Sequence, residues 1–269
     1  MVACTCPTDV CEHFPDGHGG KITIVDLAKQ TITKRLMELD PTLVEHAEGH
    51  WDMPAVGVLT PGDFSSFNDA GLECETGEFL YSLVRLLKPL HCLETGTHWG
   101  VGASYLGMAL KDNKQGHLDT VEFLPEIHMR ATQRIVKLGL TDQVTCHFGD
   151  VANFEPREGN PQEGIDKMQL RKYGFILLDT EPQIRFAELI KFFPHLLPGG
   201  FVFIHDLHRH MAQVGQNSDH PNELLWPWGP LPQQIKDWVK DGELRPFHFS
   251  TPRGLTGFYK PSREDYQWL

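Results

Sequence analysis

A doubly wound α/β domain, with a mostly parallel sheet and a terminal β-hairpin, is the fold class this sequence predicts. Three observations predict it. From about residue 90 onward, short apolar runs alternate with segments of helical periodicity, and strands separated by helices pair in parallel. A glycine-rich turn, Glu94-Thr95-Gly96-Thr97-His98-Trp99-Gly100-Val101-Gly102, follows the first apolar run and opens a helical pattern. The 269 residues are enough for one large core with attachments.

The elements follow in order. Residues 1–20 are rich in Gly, Cys, His and Asp and read as irregular. Ile22 to Leu39 carries a helical stripe (Ile24, Leu27, Ile32, Leu36, Leu39) ended by Asp40-Pro41. Residues 45–70, with Trp51, Pro54, Pro61 and Gly62, read mostly as loop. Glu78–Leu87 is a helix stopped by Pro89. Leu90–Glu94 is the first strand and Ala103–Lys111 its helix; His117–Glu122 is the second strand. Pro125–Leu138 is a helix with Ile127, Ala131, Ile135 and Leu138 on one face. Val144–Phe148 and Phe175–Asp179 are strands three and four, and Arg185–Phe193 a helix. Pro198-Gly199-Gly200 precedes the fifth strand, Phe201–His205. Pro232–Lys240 is helical, and Arg245–Ser250 pairs with Gly257–Lys260 as a hairpin. The expected organisation is an N-terminal extension with one helix (1–75), an α/β domain (76–261) and a short tail (262–269).

Composition narrows the function classes. The formal net charge is −12 and no Lys/Arg-rich block occurs, which argues against a nucleic-acid partner. No apolar run reaches the roughly 18 residues of a membrane span, and the N-terminus lacks a signal-peptide hydrophobic region; the expectation is a cytoplasmic protein without a membrane partner. Cys92 and Cys146 lie in apolar runs and read as buried thiols. Cys4, Cys6, Cys11 and His13 are of the right types for Zn²⁺, but their spacing matches no common zinc finger, so a loose terminus without zinc is expected. Of two long connections, 151–173 fits a covering loop or a surface insertion equally, and 207–229 fits a substrate-covering loop. The second contains Trp226, Pro227 and Trp228, which could close a lid or a homo-oligomer interface.

A strand, a glycine turn and a helix N-terminus in succession let backbone N–H groups approach a ligand where the helix dipole is positive. Glu94, two positions before Gly96, adds a carboxylate. That suits a nucleotide-like ligand with a positively charged amino-acid end, so the stretch points to S-adenosylmethionine more than to NAD.

On these residues the chain resembles the class I S-adenosylmethionine-dependent methyltransferases, whose sheet is Rossmann-like. It is similar to the small-molecule O-methyltransferases related to macrocin O-methyltransferase, cephalosporin hydroxylase-like proteins and catechol O-methyltransferase. The resemblance covers roughly residues 76–261. It implies cofactor contacts from Glu94, Gly96, Thr97, Gly100 and Ser104 around the glycine loop. It further implies Glu122 on the ribose, Asp150 at the adenine, and Asp179 near the methyl-transfer site. The implied reaction is methylation of a small hydroxylated molecule, with Asp179 and Asp206 holding Mg²⁺ or another divalent metal. His205 or His208 nearby could shift the preference toward a transition metal.

The sequence departs from the catechol-type pattern. Asp179-Thr180-Glu181-Pro182 lacks the lysine base of those enzymes, and His205-Asp206-Leu207-His208 lacks their Asp-Asn pair. A competing arrangement makes His208 the base, oriented by Asp206. Other readings are metal-free N-methylation, a non-catalytic binding protein that keeps the fold, and an NAD-dependent oxidoreductase. Acceptor specificity is expected in residues 45–75 and 207–229, which carry no readable motif.

Overall fold

The computed structural model describes residues 31–46, 67, 71–151, 170–181, 184–207, 225–226, 229–249, 251 and 253–262. Seven strands form its main sheet: β1 (His91–Thr95), β2 (His117–Glu122), β3 (Val144–Phe148), β4 (Tyr173–Leu178), β5 (Leu196–His205), β6 (Arg245–Phe249) and β7 (Leu255–Tyr259). Their order is β3-β2-β1-β4-β5-β7-β6. The first five strands pair in parallel, while β7 runs antiparallel to both β5 and β6. This is the predicted doubly wound sheet with its terminal hairpin. The order reverses between β1 and β4, the switch point at which such sheets open a crevice at their carboxyl ends.

Burial on both faces explains why β4 reads as an unbroken apolar run. Phe175 and Leu177 face one core cluster, and Ile176 and Leu178 the other. The first cluster gathers α1 (Thr31–Leu39), α2 (Cys74–Leu87) and α3 (Val101–Asn113), through Leu36, Leu80 and Leu106 among others. The second gathers α5 (Arg185–Phe192) and α6 (Gln233–Lys240), through Leu189, Phe192 and Ile235. Helix α4 (Pro125–Lys137) starts on proline, with Glu126 in its first turn and Lys137 in its last, both suited to the helix dipole. Its Arg134 and Lys137 reach the Asp40 carboxylate at 3.1 and 2.5 Å and so tie the end of α1 to the sheet layer.

Several boundaries differ from the sequence expectation. α2 begins at Cys74, not Glu78, because its first turn packs Cys74, Thr76 and Gly77 inside with little apolar periodicity to show for it. β4 ends at Leu178, so Asp179 caps the strand instead of belonging to it. β5 starts at Leu196, and Pro198-Gly199-Gly200 lies inside its span; Tyr173 pairs with Leu196 before the register shifts and Phe175 pairs with Phe201. Leu225–Trp226 pairs antiparallel with Gly229–Pro230 as a separate short ladder. Cys92 is buried and Cys146 half-buried, both as free thiols. Cys4, Cys6, Cys11 and His13, the 22–30 part of the first helix, Trp228 and most of both long connections lie outside the described residues. No helix among the described residues is long and apolar enough to cross a membrane.

Candidate active site

A cavity of about 530 Å³ opens at the carboxyl ends of β1, β2, β4 and β5. The glycine turn after β1 forms its floor. Gly96 has φ +78°, and a Cβ there would stand 2.3 Å from the Asp179 carbonyl oxygen, so only glycine lets this turn cross the end of β4. The Gly96 and Thr97 N–H groups donate to the Val121 carbonyl at 3.0 and 3.1 Å, which fastens the turn to β2. In the first turn of α3, a Cβ on Gly102 would stand 2.2 Å from Glu94 Oε1. The third glycine of the motif therefore makes room for the acid two residues before the first.

Glu94 is buried, and its Oε2 accepts a 2.6 Å hydrogen bond from the Thr120 hydroxyl, which in turn meets the Thr97 hydroxyl at 2.5 Å. Burial pushes its carboxyl up to about 8, with the nearby Asp179 and Glu122 adding to the rise and the Thr120 bond opposing it. Glu122, at the end of β2, accepts from the His98 N–H at 2.8 Å and from those of Phe123 and Leu124 at 3.0 Å each. Three of its roughly four acceptor positions are thus taken by backbone, and the carboxylate fixes both loops that border the cavity. Phe123 and Leu124, each 45% exposed, form an apolar rim there, with Asp150 and Val151 lining the wall beside it.

The opposite end of the cavity is a cluster of charges. His205, the last residue of β5, is fully buried. Its Nε2 lies 2.7 Å from Glu73 Oε2 and its Nδ1 3.0 Å from Asp179 Oδ1. Burial works against its charge, but Asp206, Asp179 and Glu73 outweigh it and hold the imidazole up to about 10. Asp206 has a left-handed backbone, φ +57°. Its Oδ2 accepts from Arg253 Nη2 at 2.6 Å and from Arg185 Nη2 at 3.1 Å, and its Oδ1 pairs with Arg253 Nε. Burial opposes ionisation of Asp206, yet His205, Arg253 and Arg185 hold its carboxyl well below the usual carboxylate range. Arg185, at the start of α5, also donates to the carbonyl oxygens of Thr180 and His205 and, at 3.3 Å, to Asp179 Oδ1.

Seven residues singled out in the sequence line this one cavity: Glu94, Gly96, Thr97, Glu122, Asp150, Asp179 and Asp206. Gly100 and Ser104 do not. Gly100 is the left-handed N-cap of α3, and the buried Ser104 hydroxyl donates to its carbonyl at 2.5 Å, so this pair shapes the helix start away from the cavity. His208 lies outside the described residues. Glu73, Arg185 and Arg253 were not foreseen. Arg185 had a signal, since it shares a helical face with Glu188, Leu189 and Phe192 where apolar residues are expected.

Asp179, His205 and Asp206 each offer a ligand atom, all within 4.8 Å of one another, and so form a group that could hold a metal ion. As arranged, the donors do not fit one. Both ring nitrogens of His205 face carboxylates, and Asp206 is ion-paired with two guanidinium groups, which hydrogen-bond its Oδ2, while its buried Oδ1 lies beside Arg253 Nε without a hydrogen bond.

Residues 93–207 match the family described as a methyltransferase domain. No curated protein sequence matches the chain. Among solved structures, the chain is similar to the Podospora anserina methyltransferase PaMTH1 bound to S-adenosylhomocysteine (16% identity, TM-score 0.56, 72% of this chain and 81% of that one). It is likewise similar to the O-methyltransferase TomG from Streptomyces achromogenes in complex with S-adenosylmethionine (18% identity, TM-score 0.52, 72% and 83%). An O-methyltransferase from Bacillus cereus, bound to S-adenosylhomocysteine, matches at 18% identity and TM-score 0.55, over 71% and 83%. By sequence, residues 93–207 match a methyltransferase domain, and in three dimensions the chain has the fold of the class I methyltransferases.

Proposed function

We propose that this chain transfers a methyl group from S-adenosylmethionine to a hydroxyl group of a small molecule. The observation that carries the reading is one cavity joining the Glu94–glycine-turn floor to the Asp179 carboxylate. The cradle fits such a cofactor: Gly96 lets the turn cross the end of β4, Gly102 makes room for Glu94, and the buried Glu94 carboxyl at the cavity suits a cationic group. Glu122 and Asp150, with the rim of Phe123 and Leu124, offer acceptors and an apolar surface to an adenosyl group. When bound, S-adenosylmethionine supplies a methyl group already activated on a sulfonium.

The protein then has to hold the acceptor in line and take up its proton. Asp179 is the group for that task. Its Oδ1 is engaged by His205 and Arg185, whereas its Oδ2 accepts no hydrogen bond among the described residues. Asp206 is ion-paired with Arg253 and Arg185, and both His205 nitrogens lie against carboxylates, so these two orient Asp179 and leave the acceptor's proton to it. The likeness to O-methyltransferases supports oxygen as the acceptor atom.

The test is transfer of labelled methyl from S-adenosylmethionine to a panel of hydroxylated small molecules. Asp179→Asn should lower the rate about 10²- to 10⁴-fold, the range for a lost general base, while S-adenosylhomocysteine affinity stays near that of the parent. Undiminished transfer by Asp179→Asn would remove Asp179 from the chemistry.

A further inference from the structure

The cluster at the ends of β4 and β5 sets two guanidinium groups against its carboxylates. Glu73, Asp179 and Asp206 contribute three carboxylates. Arg185 and Arg253 contribute two guanidinium groups that face them, and both ring nitrogens of His205 lie against carboxylates. All six side chains are largely withdrawn from solvent: His205 and Glu73 are 0% exposed, Arg185 3%, Asp206 12%, Arg253 13% and Asp179 15%.

The two arginines arrive from different parts of the fold and spend their donors on the protein. Arg253, in the hairpin turn between β6 and β7, grips Asp206 with Nε and Nη2 and donates from Nη1 to the Gly71 carbonyl at 2.8 Å. Its own backbone N–H donates to Glu73 Oε1 at 3.2 Å. Arg185 comes from α5 and bridges Asp179 and Asp206 with one nitrogen. Together they fix Asp206 in a left-handed conformation that non-glycine residues seldom adopt, and a strained strand end persists only when its surroundings over-determine it.

A divalent cation on Asp179, His205 and Asp206 would bring two more positive charges beside the two guanidinium groups already paired with these carboxylates. It would also have to take Asp206 from Arg253, leaving a guanidinium with little solvent access uncompensated. We infer that this methyl-transfer site operates without a divalent metal, because Arg185 and Arg253 stand where its charge would be and act as positioning residues for Asp179 and Asp206. The inference rests on the methyltransferase reading above and adds how its acceptor end is built.

The test is Mn²⁺ binding by electron paramagnetic resonance on the full chain saturated with S-adenosylhomocysteine, for the parent, Arg253→Gln and Arg253→Lys. The parent should show no saturable Mn²⁺ below about 1 mM and the same methyl-transfer rate in EDTA as in Mg²⁺. Arg253→Gln, which removes one balancing charge, should bind Mn²⁺ at least about tenfold more tightly, and a further Asp206→Asn change should abolish that gain. Arg253→Lys keeps the charge and should exclude Mn²⁺ as the parent does. Stoichiometric Mn²⁺ in the parent that Asp206→Asn removes would overturn the inference. So would a folded Arg253→Gln variant that gains no affinity. The S-adenosylhomocysteine melting shift of each protein separates the two levels: a parent that binds Mn²⁺ and still responds refutes only the metal-free site, whereas a parent with no response refutes the methyltransferase reading beneath it. Should Arg253→Gln fail to fold, the parent and Arg253→Lys measurements decide.

Discussion

Replacing Glu94 by Gln removes an acid that the folded chain holds protonated. The side chain is 1% exposed, and burial lifts its pKa from 4.5 to about 8. The unfolded chain releases that proton near 4.5, so between pH 4.5 and 8 the folded state binds more protons than the unfolded one. Stability is therefore fully present below about pH 4.5 and is lost as pH rises toward 8, after which the loss is constant. Integrated from pH 6 to pH 9, the loss is about 2 to 3 kcal/mol. Gln at this position carries no such dependence, and its side-chain oxygen can still accept from Thr120. The melting temperature of Glu94→Gln relative to the parent should thus rise by about 5 to 10 °C between pH 6 and pH 9. Calorimetric melts of both proteins at the two pH values, without cofactor, measure it. Parallel behaviour of the two proteins would refute the argument, for it would mean that Glu94 is already ionised in the empty fold.

Two further substitutions probe the floor and wall of the cavity. Gly96→Ala combines a backbone at φ +78° with a Cβ 2.3 Å from the Asp179 carbonyl; it should cost about 2 to 4 kcal/mol of stability and remove the melting shift produced by S-adenosylhomocysteine, and a variant with parental melting and parental shift would contradict the close approach. Glu122→Ala frees the N–H groups of His98, Phe123 and Leu124; hydrogen bonds to a charged group are worth about 1.5 to 3 kcal/mol, so S-adenosylmethionine affinity by calorimetric titration should fall roughly ten- to a hundredfold, and an unchanged affinity would detach Glu122 from cofactor binding.

Legibility in the sequence followed the physics of each part. β4 was readable because burial on both faces turns it into a short apolar run, whereas β1 and β2, with few apolar residues, were readable only from their alternation with helical segments. The motif around Gly96 was readable because two of its glycines answer to steric contacts with Asp179 and Glu94, which constrain residue type at fixed spacing. Spacing alone could not tell a residue that faces the cavity from one that shapes the helix start, so Gly100 and Ser104 were expected in the cavity and lie outside it. The start of β5 was masked by Pro198-Gly199-Gly200, which carries the composition of a turn. The charge cluster was the least legible part, because its closure is long-range. Glu73 meets the Arg253 backbone across 180 positions and the His205 ring across 132. No local pattern encodes a contact made only when the hairpin folds back over the start of α2.

The most direct test of the central claim is calorimetric titration of the parent protein with S-adenosylmethionine in two buffers of different ionisation enthalpy near pH 7. A cationic ligand beside Glu94, whose pKa lies near 8 in the empty fold, should bind at one site per chain and release a proton, seen as a buffer-dependent heat. No saturable binding of S-adenosylmethionine, under conditions where the protein is folded, would contradict the account.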